Sequence, residues 1–128
     1  MKPEAKFKTW LVKKIRDLGY FVQTIETTTG RGVPDLVAVV AGKSVWIEVK
    51  VSKPGCTIRA EQYIWHLKAG EQGVVVLTVC QNPDTKHITI YRSEDASKRA
   101  SGWKLTNIVW SFPAKDFENH KHMWLHII

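Results

Sequence analysis

The stretch that decides the fold is GVPDLVAVVAGKSVWIEVKV, residues 32–51. Two runs rich in apolar and β-branched residues flank the segment Ala41-Gly42-Lys43, which is the pattern of a β-hairpin. Asp35 lies at the start of the first run, and Glu48 and Lys50 lie within the second. Charged residues are depleted in strands and are rarely buried without a partner, so their presence here needs a physical reason.

The turn of this hairpin decides whether the three charges meet. Side chains alternate between the two faces of a strand, so Glu48 and Lys50 share one face. A two-residue turn at Ala41-Gly42 places Asp35 opposite Glu48, and a turn at Gly42-Lys43 places it opposite Lys50. A loop of one or three residues would split the charges across the sheet. Because Gly42 suits a short turn, we expect all three charges on one face.

Two adjacent carboxylates predict a cation site. They repel each other, and one takes up a proton unless positive charge neutralises the pair. Lys50 supplies part of that charge, and a hard divalent cation such as Mg²⁺ or Mn²⁺ would supply the rest. Such a cation polarises a phosphate and lowers the pKa of a bound water, which predicts phosphodiester hydrolysis. The alternative is an ordinary cross-strand salt bridge.

The composition favours a nucleic-acid partner. The chain has 128 residues, close to the usual size of one domain, and its 19 Lys and Arg residues exceed 12 Asp and Glu residues to give a net charge of +7. This excess favours a polyanion, although a basic surface can also serve solubility alone. Cys56 and Cys80 lack the spacing of a metal motif, which indicates free thiols in a reducing compartment, with one disulfide between them as the alternative.

The beginning of the sequence, MKPEAKFKTW, has no apolar segment of the kind found in signal peptides. No stretch approaches the eighteen or so apolar residues that a membrane-spanning helix needs. We therefore expect a cytoplasmic protein that does not enter a membrane.

The positions of Pro and Gly and the spacing of the apolar residues predict both helices and strands along the chain, as in an α/β fold. The first helix begins near Pro3 and ends before Gly19, because apolar residues recur at helical spacing between them. The further elements expected before residue 92 are strands over 20–26, 35–40 and 44–51, a helix over 58–69 closed by Gly70, a buried strand over 74–80 and an edge strand over 87–91. Beyond Arg92 the pattern predicts a short helix over 94–100, a strand over 104–110 and a helix over 113–126.

Two further polar residues are candidates for the same site. Glu4 lies three residues before Phe7 and seven before Leu11, so it shares their helical stripe and can face the sheet. It can equally be a first-turn acid that complements the helix dipole. Gln62 shares a partly apolar stripe, where it could hydrogen-bond a metal-bound water or a phosphate. It can equally be a solvated helix residue.

The pattern Pro34-Asp35 followed by Glu48-Val49-Lys50 resembles the PD-(D/E)XK nuclease superfamily. With an early helical Glu4 and a helical Gln62, the chain is most similar to the small stand-alone VRR-NUC (virus-type replication-repair nuclease) branch, and the resemblance covers about residues 4–80. It implies a restriction-endonuclease-like α/β sandwich with a mixed central sheet flanked by helices. Residues 1–128 would form a single nuclease domain, with a core over about 4–91 and a C-terminal extension over 92–128 of unclear role.

The resemblance also implies roles for individual residues. The chain would be an Mg²⁺-dependent DNA endonuclease in which Mn²⁺ can substitute. Asp35 and Glu48 would bind the metal through carboxylates, Val49 through its carbonyl, and Glu4 as an outer ligand. Lys50 would orient or help activate the attacking water, with Gln62 beside it. The expected phosphate contacts are the cations Lys6, Lys13, Arg31, Lys53 and Arg59.

Stand-alone members of viral origin resemble homodimeric resolvases of branched DNA, including four-way junctions. We therefore expect a homodimer that acts on branched DNA in repair inside a host cell. The alternatives are a nuclease of the same fold that acts on linear or single-stranded DNA, or a non-catalytic nucleic-acid-binding module.

Overall fold

The computed structural model describes residues 1–26 and 31–128. Residues 27–30, which the sequence assigns to a loop, lie outside this description. The helices are α1 (Pro3–Asp17), α2 (Ala60–Glu71), a 3₁₀-helix (Ala114–His120) and α3 (Met123–Ile127). The strands are β1 (Phe21–Thr24), β2 (Leu36–Val40), β3 (Lys43–Val51), β4 (Thr57–Ile58), β5 (Val75–Gln81), β6 (His87–Arg92), β7 (Ala96–Arg99), β8 (Gly102–Leu105) and β9 (Ile108–Pro113).

The central sheet has six strands in the order β1-β2-β3-β5-β6-β9. Strands β3 and β5 are parallel and the other neighbours are antiparallel, so the sheet is mixed. A smaller sheet has the order β4-β8-β7. Parallel neighbours need a crossover connection, and α2 lies in that connection between β3 and β5.

The two long helices cover opposite faces of the central sheet. α1 begins with a proline in its first turn and ends before Gly19, whose φ of +88° suits a glycine. Its buried residues Phe7, Leu11 and Ile15 join the main core, together with the inward residues of β3. α2 lies on the other face, where Trp65 packs against Trp46 of β3 with ring centroids 5.4 Å apart.

The hairpin of β2 and β3 has the short turn that the sequence predicts. Ala41 and Gly42 have φ values of +52° and +78°, as a type I′ turn requires. The register pairs Leu36 with Ile47 and Val40 with Lys43. The prediction of a two-residue turn is therefore confirmed, and of the two alternatives the turn is Ala41-Gly42, whose register places Asp35 across from Glu48.

The second helix and the strand after β5 differ from the prediction. α2 ends at Glu71 rather than before Gly70, and Gly73, with φ +83°, follows its last turn. Gly70 lies inside the last turn of the helix, where a Cβ would lie 3.4 Å from the side chain of Glu94, an ordinary contact distance. The prediction that residues 87–91 form an edge strand is wrong, because β9 pairs with the far side of β6.

The region beyond Arg92 departs furthest from the local sequence pattern. The helix predicted over 94–100 is wrong, because these residues form β7, which pairs with β8. The single strand predicted over 104–110 is wrong as well, since β8 belongs to the small sheet and β9 to the central sheet. The helix predicted over 113–126 is divided into the 3₁₀-helix and α3. Tertiary pairing overrides local propensity in each case.

Residues after β8 contribute buried side chains to the main hydrophobic core. The buried side chains that they contribute are Phe112, Phe117, Met123, Trp124 and Ile127. Cys56 and Cys80 are both free and buried. Within the described residues, no helix is long and apolar enough to cross a membrane.

Candidate active site

The open end of the β2–β3 hairpin gathers two acids and a lysine. The main-chain N–H of Val49 donates a hydrogen bond of 2.9 Å to Oδ2 of Asp35, which holds this carboxylate against β3. Nζ of Lys50 lies 3.9 Å from Oε2 of Glu48. The geometry therefore brings Asp35, Glu48 and Lys50 together on the face of the sheet that α2 covers.

Glu48 is the most constrained member of this group. Its side chain is buried, and its Oε1 makes no hydrogen bond to any atom of the residues that the structure describes. Burial is the main cause that raises the pKa of Glu48 from 4.5 to about 8, and the adjacent Asp35 raises it further while Lys50 lowers it. Without a bound cation, Glu48 is therefore largely protonated at pH 7.

Gln62 fixes the other oxygen of Glu48. Its Nε2 donates a hydrogen bond of 3.1 Å to Oε2 of Glu48, and its Oε1 accepts one of 2.9 Å from the main-chain N–H of Arg59. Arg59 is the residue before the first turn of α2. One buried side chain thus caps the helix and orients the carboxylate, so Gln62 faces the site rather than solvent.

Gly32 explains how the segment before Asp35 reaches the helix. Its φ is +77°, and a Cβ at this position would lie 2.1 Å from the main-chain oxygen of Glu61. The backbone of Gly32 therefore lies directly against the first turn of α2. The sequence pattern assigns Gly32 only to a loop, and glycine is the residue type that allows such a close approach of two backbones.

His66 is a site neighbour that the sequence analysis missed. It lies one helical turn after Gln62 and is completely buried. Burial, assisted by the charge of Lys50, lowers the pKa of His66 to about 4, so the imidazole is neutral at pH 7. The spacing of four residues from Gln62 is the signal that could have found it, because residues i and i+4 share a helix face.

Glu4 stands apart from the other candidates. Its side chain is exposed at the beginning of α1, and no hydrogen bond or salt bridge joins it to another residue of the described ranges. Its negative charge nevertheless contributes, as the smallest of five causes, to the raised pKa of Glu48. The structure therefore places Glu4 within electrostatic range of Glu48 but in no contact with it.

The five predicted phosphate contacts are all exposed and are spread over the surface; they are Lys6, Lys13, Arg31, Lys53 and Arg59. Three of them make surface ion pairs: Lys13 with Asp17 at 2.9 Å, Lys53 with Asp84 at 3.8 Å, and Arg59 with Glu61 at 3.3 Å. Such exposed pairs are weak, so they leave these cations available to a polyanion. Lys53 and Arg59 flank β4.

The oxygen atoms of Asp35 and Glu48 are ligands of the kind that a hard divalent cation prefers. The Val49 carbonyl is available as a further ligand, because the N–H and C=O of one residue in an extended strand point to the same side of the strand and the N–H of Val49 points to Asp35. β2 begins at Leu36, so it does not extend far enough to cover that carbonyl. Mg²⁺ typically takes one or two carboxylates and keeps several waters. Among the described residues, no cluster of three His, Cys, Asp or Glu side chains is arranged around a metal position.

Comparison with known proteins supports the fold. No protein-family model matches the chain, and no curated protein matches it. The structure is similar to that of Hjc, a Holliday junction resolvase from the archaeal hyperthermophile Archaeoglobus fulgidus, with a TM-score of 0.61 and 13% sequence identity over 90% of this chain and 92% of that chain. The predicted restriction-endonuclease-like α/β sandwich, a mixed sheet flanked by helices, is thereby confirmed.

Proposed function

We propose that this chain is a divalent-metal-dependent endonuclease of the PD-(D/E)XK superfamily and of the VRR-NUC type, which cuts branched DNA such as four-way junctions. The observation that carries the proposal is the buried Glu48, whose Oε1 lacks a hydrogen-bond partner among the described residues beside the carboxylate of Asp35. A buried acid pair of this kind needs a proton or a cation. The likeness in fold to a Holliday junction resolvase supports a junction as the substrate.

Each residue of the site has a part in the proposed reaction. When bound, Mg²⁺ or Mn²⁺ would polarise the scissile phosphate and lower the pKa of the attacking water. Asp35 and Glu48 would hold the cation through their carboxylates, and the Val49 carbonyl would be the third protein ligand. Glu4, whose charge contributes to the raised pKa of Glu48, would serve as an outer ligand.

Lys50 and Gln62 position the reacting groups. The Lys50 ammonium lies 3.9 Å from Oε2 of Glu48 and would orient the attacking water and the phosphate by hydrogen bonds. Gln62 holds Oε2 of Glu48, which leaves Oε1 without a hydrogen bond among the described residues and available to bind a cation. His66, one helical turn after Gln62, is neutral and completely buried.

The surface charge supports DNA as the partner. The net charge of +7 attracts a polyanion, and exposed cations lie on α1 and around β4. Arg31, Lys53 and Arg59 lie near the site along the chain, and Lys6 and Lys13 lie on the outer part of α1. We propose that these residues contact phosphates and that the bases are not read.

A homodimer suits a junction, because two symmetric incisions need two sites. Phe21 and Val39 are cross-strand partners on β1 and β2, and their exposed fractions are 61% and 39%. Strand alternation puts Val39 on the same face as Asp35. We propose that this apolar pair lies in the contact between two copies.

The deciding experiment incubates a labelled four-way junction with the wild type and with Asp35→Ala, in Mg²⁺ and in EDTA. We expect cleavage by the wild type in Mg²⁺ alone, and junction binding without cleavage by the variant. Cleavage by Asp35→Ala at the wild-type rate would overturn the site assignment. Linear duplex, flapped and single-stranded substrates in the same series separate a junction enzyme from a nuclease of the same fold with another substrate. Binding without cleavage of any substrate would indicate a non-catalytic module.

A further inference from the structure

Strands β7 and β8 form a hairpin with an unusual concentration of charge, which we call the cationic hairpin (residues 96–105). Its sequence, ASKRASGWKL, contains three cations and no acid. Lys98, Arg99 and Lys104 are all exposed, and none of them makes a salt bridge with an acid of the described residues. Like charges on one short hairpin repel each other, so an external polyanion would stabilise this arrangement.

The cationic hairpin lies close to the candidate active site although it is remote in sequence. Strand β8 pairs with β4, and the register joins Thr57 to Lys104 and Ile58 to Trp103. The next residue is Arg59, whose N–H binds Gln62, and Gln62 in turn donates to Glu48. The hairpin is therefore connected to the buried carboxylate of Glu48 through β4, which pairs with β8, and through the first turn of α2, which carries Gln62.

The hairpin is fixed to the body of the protein. The Trp103 ring stacks on Tyr63 of α2, with centroids 4.0 Å apart and planes at 11°. A Cβ at Gly102 would lie 2.8 Å from the main-chain oxygen of Ile58, so the two strands approach closely there. Leu105 is buried in a small core with Cys56 and Tyr91. These contacts hold the cations at a constant position relative to the site.

Strand alternation places Arg99 and Lys104 on one side of the hairpin and Lys98, the cross-strand partner of Trp103, on the other. Trp103 and Leu105 face inward, so Lys104 between them faces outward. Lys104 extends along the loop after β3, where a Cβ on Gly55 would lie 4.0 Å from its Cε. That loop also carries the exposed Lys53. The outward surface therefore joins Lys104 to Lys53, which follows Lys50 by three residues, with Arg99 on the same side of the hairpin.

We propose that the cationic hairpin binds the phosphate backbone of a duplex DNA arm next to the candidate active site. The inference rests on the proposed function in that DNA is the substrate, and it names the surface that holds one arm. Because the Trp103 ring already stacks on Tyr63, it is not available to stack on a DNA base. The proposed contact is therefore with phosphates and is independent of base sequence. Each phosphate contact releases counterions, so the salt dependence of binding counts the contacts.

The test compares two triple variants that remove the same charge. The hairpin variant is Lys98→Gln, Arg99→Gln and Lys104→Gln, and the matched control replaces three exposed lysines elsewhere, Lys43→Gln, Lys115→Gln and Lys121→Gln. Affinity for an uncleaved four-way junction is measured in EDTA over a range of salt concentrations. Circular dichroism checks that both variants fold. The charge-preserving variant Lys98→Arg, Arg99→Lys and Lys104→Arg reports whether charge alone matters.

We expect the slope of log affinity against log salt to become shallower by about 2 to 3 in the hairpin variant, since each cation contributes about 0.9. The control should change the slope by less than about 1, and the charge-preserving variant should match the wild type. An unchanged slope in the hairpin variant, or an equal loss in both triple variants, would overturn the proposal. Because binding is measured without metal, this result is independent of whether the wild type cleaves the junction in Mg²⁺.

Discussion

The main-chain N–H of Val49 and the Oδ2 of Asp35 are joined by a hydrogen bond of 2.9 Å across the open end of the hairpin. The protein itself therefore orients Asp35. Glu48 is oriented only through Oε2, by Gln62, while Oε1 has no hydrogen-bond partner in the described parts of the chain. A buried polar atom without a partner is costly, so the site is complete only when a proton or a cation occupies this side of Glu48.

The metal-free protein should lose stability as the pH rises from 6.5 to 8. The pKa of Glu48 is raised from 4.5 to about 8, so the folded state binds more protons than the unfolded state in that interval. The pKa of His66 is lowered from 6.5 to about 4, which acts in the opposite direction but only below pH 6.5. The free energy of unfolding in EDTA should therefore fall by up to about 1.4 kcal/mol per pH unit above pH 6.5.

Urea unfolding at several pH values checks this expectation, with Glu48→Gln as the control. The glutamine keeps a hydrogen-bond acceptor for Gln62 but does not titrate, so its stability should not decline over the same interval. Mg²⁺ should stabilise the wild type more strongly at pH 8 than at pH 6.5, because binding must displace the proton of Glu48. A wild-type stability that is constant over this interval would contradict the burial of an unpaired acid.

Replacement of Gln62 by leucine should destabilise the protein by about 1 to 3 kcal/mol. The substitution leaves both Oε2 of Glu48 and the N–H of Arg59 without the partner that the structure gives them. The control is Gln72→Leu, which changes an exposed glutamine at the end of the same helix. Urea unfolding of both variants measures the difference. Equal effects of the two substitutions would show that the contacts of Gln62 contribute nothing to stability.

Gly32→Ala should be much more damaging than Gly19→Ala. Both glycines have positive φ, at +77° and +88°, so both substitutions strain the backbone by about 1 kcal/mol. A Cβ at Gly19 meets nothing within 4 Å, whereas a Cβ at Gly32 would lie 2.1 Å from the main chain of Glu61. The clash must separate the segment before Asp35 from α2.

Thermal unfolding and junction cleavage of the two variants measure this difference. Gly19→Ala should lower the melting temperature slightly and retain nuclease activity. Gly32→Ala should lower it further and abolish activity, because it displaces Asp35 from Glu48. Full activity in Gly32→Ala would show that this close approach does not position the site.

Replacement of the exposed apolar pair should weaken self-association. Phe21→Ser with Val39→Ser removes an apolar patch without touching the main core, so the monomer should remain folded. Sedimentation equilibrium should show a dimer for the wild type and a shift toward monomer for this variant. The control is Leu125→Ser, which removes another exposed apolar side chain. A wild type that is monomeric at all concentrations would contradict the proposed dimer.

The hairpin that carries the acids could be predicted because its information is local. Gly42 selects a short turn, and alternation then determines which side chains share a face with Glu48. The burial of Glu48 could not be predicted in the same way, since it depends on where α2 packs. The hydrogen bond from Gln62 and the position of His66 follow from that packing.

The region after Arg92 was mispredicted because its structure depends on distant partners. Residues 94–100 carry no strong strand pattern, yet β7 pairs with β8, and β8 pairs with β4, more than forty residues earlier in the chain. The local strand propensity of these residues gives no information about a pairing partner so far away in the sequence. The same pairing brings the cationic hairpin beside the candidate site, so the sequence alone indicated neither its structure nor its position.

The close pair Trp46 and Trp65 gives the site a built-in spectroscopic label. Trp46 precedes Glu48 by two residues on β3, and Trp65 follows Gln62 by three on α2, with ring centroids 5.4 Å apart. Indoles at this separation couple their electronic transitions, and the sign and amplitude of the coupled band depend on their mutual orientation. Any displacement of the helix against the strand as an ion enters would therefore be visible in the near-ultraviolet circular dichroism of the unmodified chain.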